Sequence, residues 1–218
     1  MNIAIIPARG GSKGILNKNL QLINGESLIK IAVLKLGSLP FIDEVYVSTD
    51  SRKIAHEGSL YGAKIHMRRE EISRDTSTSE EAIIDFLESL GSGEDDNILF
   101  HQCTSPLLKT DSIKSLWDYY LSSDADCVFT VSKESNPIWK LENDGKAERI
   151  LYESNPRRPR QLREPLYIET GGAYAFSSSR FLRDKNRFGK DNKFIEVSKV
   201  EAIDIDSIED LFLANKLI

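Results

Sequence analysis

Between residues 3 and 132 five short β-branched or aromatic runs alternate with stretches that carry helical signals. The runs are 3–6, 44–49, 64–67, 97–101 and 127–132, each of strand length, and 44–49 (EVYVST) also alternates. Between them, 28–36 is apolar and stopped by Gly37 with Pro40 beyond, and 52–61 reads as a second helix. Thr78-Ser79-Glu80-Glu81 forms a capping box ahead of Ile83, Ile84, Leu87 and Leu90 on one helical face. Asp111 stands as the cap of a helix whose apolar positions 113, 116, 117, 120 and 121 keep the period. Such a succession implies an α/β fold: a doubly wound, mostly parallel sheet covered on both faces, with functional residues on loops after the strands.

The first of those loops is the most unusual. The strand ends at Pro7, which lacks a backbone donor, and Gly10, Gly11 and Gly14 permit conformations and close approaches that a β-carbon would forbid. Arg9, Lys13 and Lys18 add positive charge to the free N–H groups of this turn, a combination suited to a polyphosphate. A P-loop requires Gly-Lys-Ser/Thr, whereas the order here is Ser12-Lys13-Gly14. A dinucleotide fingerprint requires G-x-G-x-x-G opening into a helix, whereas the spacing here is GG-x-x-G followed by a polar stretch to Gly25. The residues alone also allow an ordinary strand-to-helix turn with solvated cations.

The run 8–19, ARGGSKGILNKN, resembles the signature of the acylneuraminate cytidylyltransferases, which join CTP to a nonulosonic acid such as sialic acid. The likeness rests on Ala8-Arg9, Ser12-Lys13-Gly14 and Lys18-Asn19. It implies a nucleotide-diphospho-sugar-transferase-like fold and a single cytidylyltransferase domain over 1–218. It also implies nucleotide binding by Ala8, Arg9, Gly10, Gly11, Ser12, Lys13 and Asn19, and catalysis by Arg9, Lys13, Lys18 and Asp206. Arg68, with Asp75-Thr76 and Ser79, resembles the segment that contacts base and ribose. From residue type alone, Thr78 and Ser79 are equally helix caps and Arg68 a solvated charge.

Gln102 and Ser105, in QCTSP, resemble the family element near the sugar acid, although Ser105-Pro106 is also a plain polar turn. Arg160-Gln161-Leu162 and Thr170-Gly171-Gly172 resemble the element that receives the sugar's carboxylate and tail. Thr170 stands where sialic-acid enzymes more usually carry Asn, and Arg163-Glu164-Pro165 replaces a simple Leu-Pro. The acid therefore stays open among sialic, legionaminic and pseudaminic acids.

A last strand is expected over 200–206 and a terminal helix over 207–217. On a strand, Asp204 and Asp206 would share one face while Ile203 and Ile205 point to the other. Two carboxylates on one face suit Mg²⁺, which takes one or two of them plus substrate phosphates and waters. Asp206, three residues before Glu209, is equally an N-cap. In the resembling family this Asp-x-Asp holds the metal.

The rhythm breaks over 133–163, which holds Pro137, Pro156, Pro159 and the turn Asn143-Asp144-Gly145 between two alternating stretches, 138–141 and 148–152. These read as an inserted hairpin, and the resemblance implies a homodimerisation arm. Regular structure resumes at 167–176, followed by a short helix over 179–184 and a polar loop over 185–193.

The net charge of −5 over 218 residues argues against a nucleic-acid partner, which demands a basic surface. Arg157, Arg158, Arg160 and Arg163 then face one small anion. Cys103 and Cys127 are too few for a disulfide framework and read as free thiols of a reducing compartment. His56, His66 and His101 lack metal-ligand spacing. No apolar run approaches the ~20 residues of a membrane span and no signal-peptide series opens the chain, so a cytoplasmic protein with no membrane partner is expected. The expected activity is Mg²⁺-dependent transfer of CMP from CTP to a nonulosonic acid. A nucleotidyltransferase for another sugar acid or a sugar phosphate and a non-catalytic nucleotide-binding paralogue are the alternatives.

Overall fold

The computed structural model describes residues 1–11, 14–72, 77–91, 95–150, 161 and 164–218. In chain order the elements are β1 (Asn2–Pro7), β2 (Leu22–Ile23), β3 (Glu26–Ser27), α1 (Leu28–Gly37), β4 (Glu44–Thr49), α2 (Arg52–Leu60), β5 (Lys64–Met67), α3 (Ser79–Ser89) and β6 (Asn97–His101). They continue with α4 (Thr110–Leu121), β7 (Cys127–Glu134), β8 (Trp139–Leu141), β9 (Ala147–Arg149), β10 (Leu166–Ser177), α5 (Ser178–Asp184), β11 (Asn192–Val197) and α6 (Ile208–Leu217).

Seven strands form one sheet in the order β11-β7-β10-β6-β1-β4-β5. All neighbours are parallel except β10, which runs antiparallel to both β6 and β7. The expected doubly wound, mostly parallel architecture is therefore the observed one. The period of two along β1 gives each sheet face its own core. Ala4 and Ile6 join Leu28, Val33, Leu116 and Trp117 of α1 and α4, while Ile3 and Ile5 join Ile83, Phe86 and Phe181 of α3 and α5. Trp117 is fully buried and stacks on Phe41 at 5.4 Å, so its truncation to Ala should cost about 3–5 kcal/mol. β4 lies on one side of β1 and β6 on the other, so the strand order reverses at β1. A crevice opens beyond its C-terminal end.

Four expectations need correction. The residues 200–206 form a turn and an extended segment, not a strand; the edge strand is β11, which starts at the end of the stretch read as a polar loop (185–193), runs on to Val197, and pairs with β7 from Asn192↔Cys127 to Val197↔Ser132. Its alternation exposes one side, whereas Ile205 is apolar because it plugs the core. Asp111 is not the cap of α4. The N-cap is Lys109, and Glu201 reaches in from the distant segment to accept from the Lys109 N–H at 3.3 Å and the Ser112 hydroxyl at 2.5 Å. The polar stretch to Gly25 holds a small hairpin, β2–β3, turned by Asn24 (φ 49°) and Gly25 (φ 81°). The expected hairpin is present as β8–β9, with the Ile150 N–H donating to the Ile138 carbonyl at 2.9 Å, and its second arm beyond Ile150 lies outside the described residues.

Candidate active site

The crevice is built first by the loop after β1. Its start is held to β4 by the Ala8 N–H donating to the Ser48 carbonyl at 2.9 Å, and Ala8 itself is buried in the core. The Gly10 N–H donates to Asp50 Oδ1 at 2.7 Å, and a β-carbon there would stand 2.9 Å from Ser51 Cβ. A β-carbon at Gly11 would meet nothing within 4 Å. The loop returns through a 3₁₀ turn, Lys18–Leu20. There the buried Asn19 amide donates to the Arg9 carbonyl at 2.9 Å and its oxygen accepts from Cys103 Sγ at 3.2 Å. Asn19 thus braces the loop from inside.

Arg9, Lys18, Asn19, Arg68, Ser79 and Gln102 line one cavity of about 270 Å³, with Cys103 and Thr104 at its base. Arg68 follows β5, and its main-chain N–H donates to the Thr49 carbonyl at 2.9 Å. Its Nε donates to Ser48 Oγ at 2.8 Å, while its buried Nη2 has no partner among the described residues. Burial lowers its pKa to about 10, opposed by Asp50 and Asp85, so the guanidinium remains charged at neutral pH. Thr78, not Ser79, caps α3 through the box with Glu81, which leaves Ser79 in the first turn facing the cavity.

The segment between β11 and α6 adjoins the cavity through two of its lining residues, Lys18 and Thr104. The Ile205 N–H donates to the Thr104 carbonyl at 2.9 Å, and a β-carbon at Gly14 would stand 2.5 Å from the Asp206 carbonyl oxygen. Lys18 Nζ lies 2.8 Å from Asp206 Oδ1. Asp206 is exposed and Asp204 half-buried, with Asp204 Oδ1 enclosed and unpartnered among the described residues. Burial pushes the Asp204 pKa up, the Thr104 hydroxyl opposes this, and the Asp206 charge adds to it. Asp206 does not cap α6. Ser207 does, in a reciprocal box with Asp210, so the Asp206 carboxylate is left to the crevice.

Among the described residues no group of three or more His, Cys, Asp or Glu could hold a metal ion. A cation here would take its protein ligands from Asp204 and Asp206 and the rest from bound phosphate and water. The all-oxygen pair with an enclosed free oxygen fits Mg²⁺.

The third wall is a bulge in β10, where the register with β7 shifts between Glu169 and Tyr174. Gly171 adopts φ 74° with its missing β-carbon facing the Gln102 amide, and the Gln102 N–H donates to the Gly172 carbonyl at 3.2 Å. The Thr170 hydroxyl is taken up by the bulge, 2.6 Å from Thr130 Oγ1 and accepting from the Gly172 N–H at 3.2 Å. His101 Nδ1 lies 2.7 Å from the Gly172 carbonyl, while Ser105 Oγ is buried without a partner among the described residues.

Residues 3–215 match the family described as Cytidylyltransferase. The chain belongs to that family. It is 32% identical over 213 residues to an N-acylneuraminate cytidylyltransferase of Streptococcus agalactiae serotype V, covering 95% of this chain and 51% of that protein. It is 28% identical to a CMP-N,N'-diacetyllegionaminic acid synthase of Legionella pneumophila, covering 99% of this chain and 95% of that one. The chain spans about half the length of the streptococcal relatives it matches. The 2-C-methyl-D-erythritol 4-phosphate cytidylyltransferase of Francisella tularensis shares the fold, with a TM-score of 0.74 at 16% identity over 100% of this chain and 99% of that one.

Within this cytidylyltransferase chain the crevice gathers Arg9, Lys18, Asn19, Arg68, Ser79, Gln102, Asp204 and Asp206, with Gly171 against Gln102. Gln161 is exposed. Ser12, Lys13 and Arg160, like Asp75, Thr76, Arg157, Arg158 and Arg163, lie outside the described residues. Sequence reasoning missed Thr104, which contacts both Gln102 and Asp204, while Asp50 closes β4 at the end where ligands bind in such sheets and here accepts from the Gly10 N–H. Thr104 lies in the loop after the parallel strand β6, the position that could have marked it.

Proposed function

We propose that this chain transfers CMP from CTP to the anomeric hydroxyl of a nonulosonic acid, with release of pyrophosphate. The observation that carries the reading is the convergence of Arg9, Lys18 and Arg68 with the Asp204–Asp206 pair around one crevice at the strand-order reversal. The relatives' printed activities, on sialic and legionaminic acids, supply the acceptor class.

In this reading the glycine loop, Arg9, Lys13 and Lys18 hold the triphosphate and stabilise charge that moves to the leaving pyrophosphate. Lys18 is engaged by Asp206 at 2.8 Å, so a triphosphate competes with that carboxylate for the ammonium. Asp204 and Asp206 would hold Mg²⁺, which supplies charge neutralisation at the α-phosphate and sugar oxygen. Arg68 and Ser79 face the nucleoside. Gln102, Ser105, Arg160, Gln161, Thr170 and Gly171 form the acceptor side, where the departures at 163–165 and 170 govern which acid fits. We further assign the protein to the cytoplasm as a homodimer, with 133–163 as the arm. Trp139, half-exposed beneath the Arg149 guanidinium at 4.5 Å, is a contact that arm offers.

The test is pyrophosphate release from a panel of purified nonulosonic acids offered with CTP and Mg²⁺, with other nucleotides and EDTA as controls. CTP- and metal-dependent release with one acid is the expected result and names the acceptor. Silence across the panel from folded protein would overturn the reading, as would equal turnover with every nucleotide. A monomeric mass in solution at micromolar concentration would remove the dimer.

A further inference from the structure

Behind Arg68 runs a line of buried polar groups that the proposed chemistry does not use. Arg68 Nε can only donate, so Ser48 Oγ, 2.8 Å away, accepts. Ser48 is fully buried, and its single proton then goes to His66 Nδ1 at 3.0 Å. That leaves His66 as the neutral Nε2–H tautomer, its Nε2 in contact with Asp85 Oδ2 at 3.3 Å without hydrogen-bond geometry. Asp85 is itself 6% exposed on the core side of α3, and its other oxygen accepts from Arg69 Nε at 2.5 Å. The groups facing His66 are therefore Ser48 from β4, Arg68 and Arg69 after β5, and Asp85 and the Phe86 ring from α3. Burial and the two arginines hold the ring neutral against the pull of Asp85.

A buried polar line is rarely worth more to stability than apolar side chains of the same volume. This one ends at Arg68 Nη2, the enclosed donor that has no partner among the described residues and lies at the cavity. We propose that Ser48, His66 and Asp85 are positioning residues that fix the Arg68 guanidinium so that its free edge meets an acceptor oxygen of the bound nucleotide. The inference rests on the nucleotide reading of the crevice.

CTP affinity of the whole chain, measured by calorimetry, tests both separately. Ser48→Ala should weaken CTP binding on the order of tenfold or more, the worth of a hydrogen bond to a charged group. KM for CTP should rise with it, while kcat and KM for the sugar acid stay within about twofold of wild type. In an Arg68→Ala background the same substitution should change CTP affinity less than about twofold, because its effect passes through Arg68. Asp85→Asn, which keeps the volume, should act in the same direction and serves if Ser48→Ala fails to fold. Wild-type protein that binds no CTP would remove the reading of the crevice and this inference together. CTP binding unchanged in both variants, or an effect of equal size without Arg68, would overturn the inference alone.

Discussion

Gly14 and Asp206 meet backbone to backbone: a β-carbon on Gly14 would lie 2.5 Å from the Asp206 carbonyl oxygen. The contact locks the cationic loop to the carboxylate segment, and the Lys18–Asp206 bridge at 2.8 Å fastens the same pair of elements beside it. Any side chain at position 14 must push the two apart.

Gly14→Ala should therefore lower turnover by about 10²-fold, the effect expected when reacting groups are displaced by about 1 Å. Far-UV circular dichroism should be unchanged. Gly37→Ala, at the end of α1 and away from the crevice, is the control, because a β-carbon there meets nothing within 4 Å, and its turnover should stay within a few-fold of wild type.

Asp204 combines a raised pKa from burial with an oxygen that has no partner among the described residues. A folded-state pKa above the unfolded value means the native protein binds more protons, so the charged group costs stability as pH rises from its unfolded pKa to its folded one. Asp204→Asn should lose activity on the order of 10²-fold yet melt no lower than wild type at pH 7. The gap in Tm should close as the pH is taken down through the ordinary carboxylate range. Thermal melts from pH 3 to 7 beside pyrophosphate assays check both halves; a destabilised variant at pH 7 would contradict the assignment.

His101 is wholly enclosed, and burial, helped by the charge of Lys35, lowers its pKa to about 3 against a backbone bond to Gly172. The unfolded chain binds a proton near 6.5 that the folded chain refuses, so stability is intact above that value and falls as the pH drops toward 3. The limiting slope is about 1.4 kcal/mol per pH unit for one such group. His101→Gln should flatten urea-derived stability between pH 6.5 and 4, whatever it does to the absolute value at pH 7.

Gly171 sits at φ 74° with its open side toward the Gln102 amide at 3.6 Å. An L-residue there carries a strain of about 1–2 kcal/mol, which for a chain of this size lowers Tm by roughly 2–8 °C. Gly171→Ala should show that shift and raise KM for the sugar acid more than KM for CTP, as initial-rate kinetics with each substrate varied would reveal.

Strands whose apolar content reflects their place in the sheet were legible from sequence: β4, β5 and β6 occupy the very residues their runs mark. β11 was not, because an edge strand exposes one side, its first two residues end a polar stretch, and its short F-I-E-V run lies between polar neighbours. Nor was the role of Val200-Glu201-Ala202-Ile203, whose apolar letters pack and turn instead of pairing. At the site, Arg9, Lys18 and Arg68 are found where the loop chemistry and the family likeness lead, around one cavity. What pattern reading could not supply is the support beneath them. Asp85 looks like a solvated helix residue until His66 and Arg69 arrive from β5, and Asn19 looks like a ligand contact until Arg9 and Cys103 close on it. Such partners are set by tertiary proximity, which has no local period.

The antiparallel course of β10 through the seven-stranded sheet has an outcome for how this fold can vary. Glu134 at the end of β7 and Leu166 at the start of β10 are Cα partners, so the chain leaves the sheet and re-enters it at two adjacent points. Whatever lies between them needs only to begin and end side by side, and lengthening such a closed excursion costs only about 0.6 kcal/mol per doubling. A connection of that kind can change in length at little cost while the sheet register, the glycine loop and the carboxylate segment stay where they are.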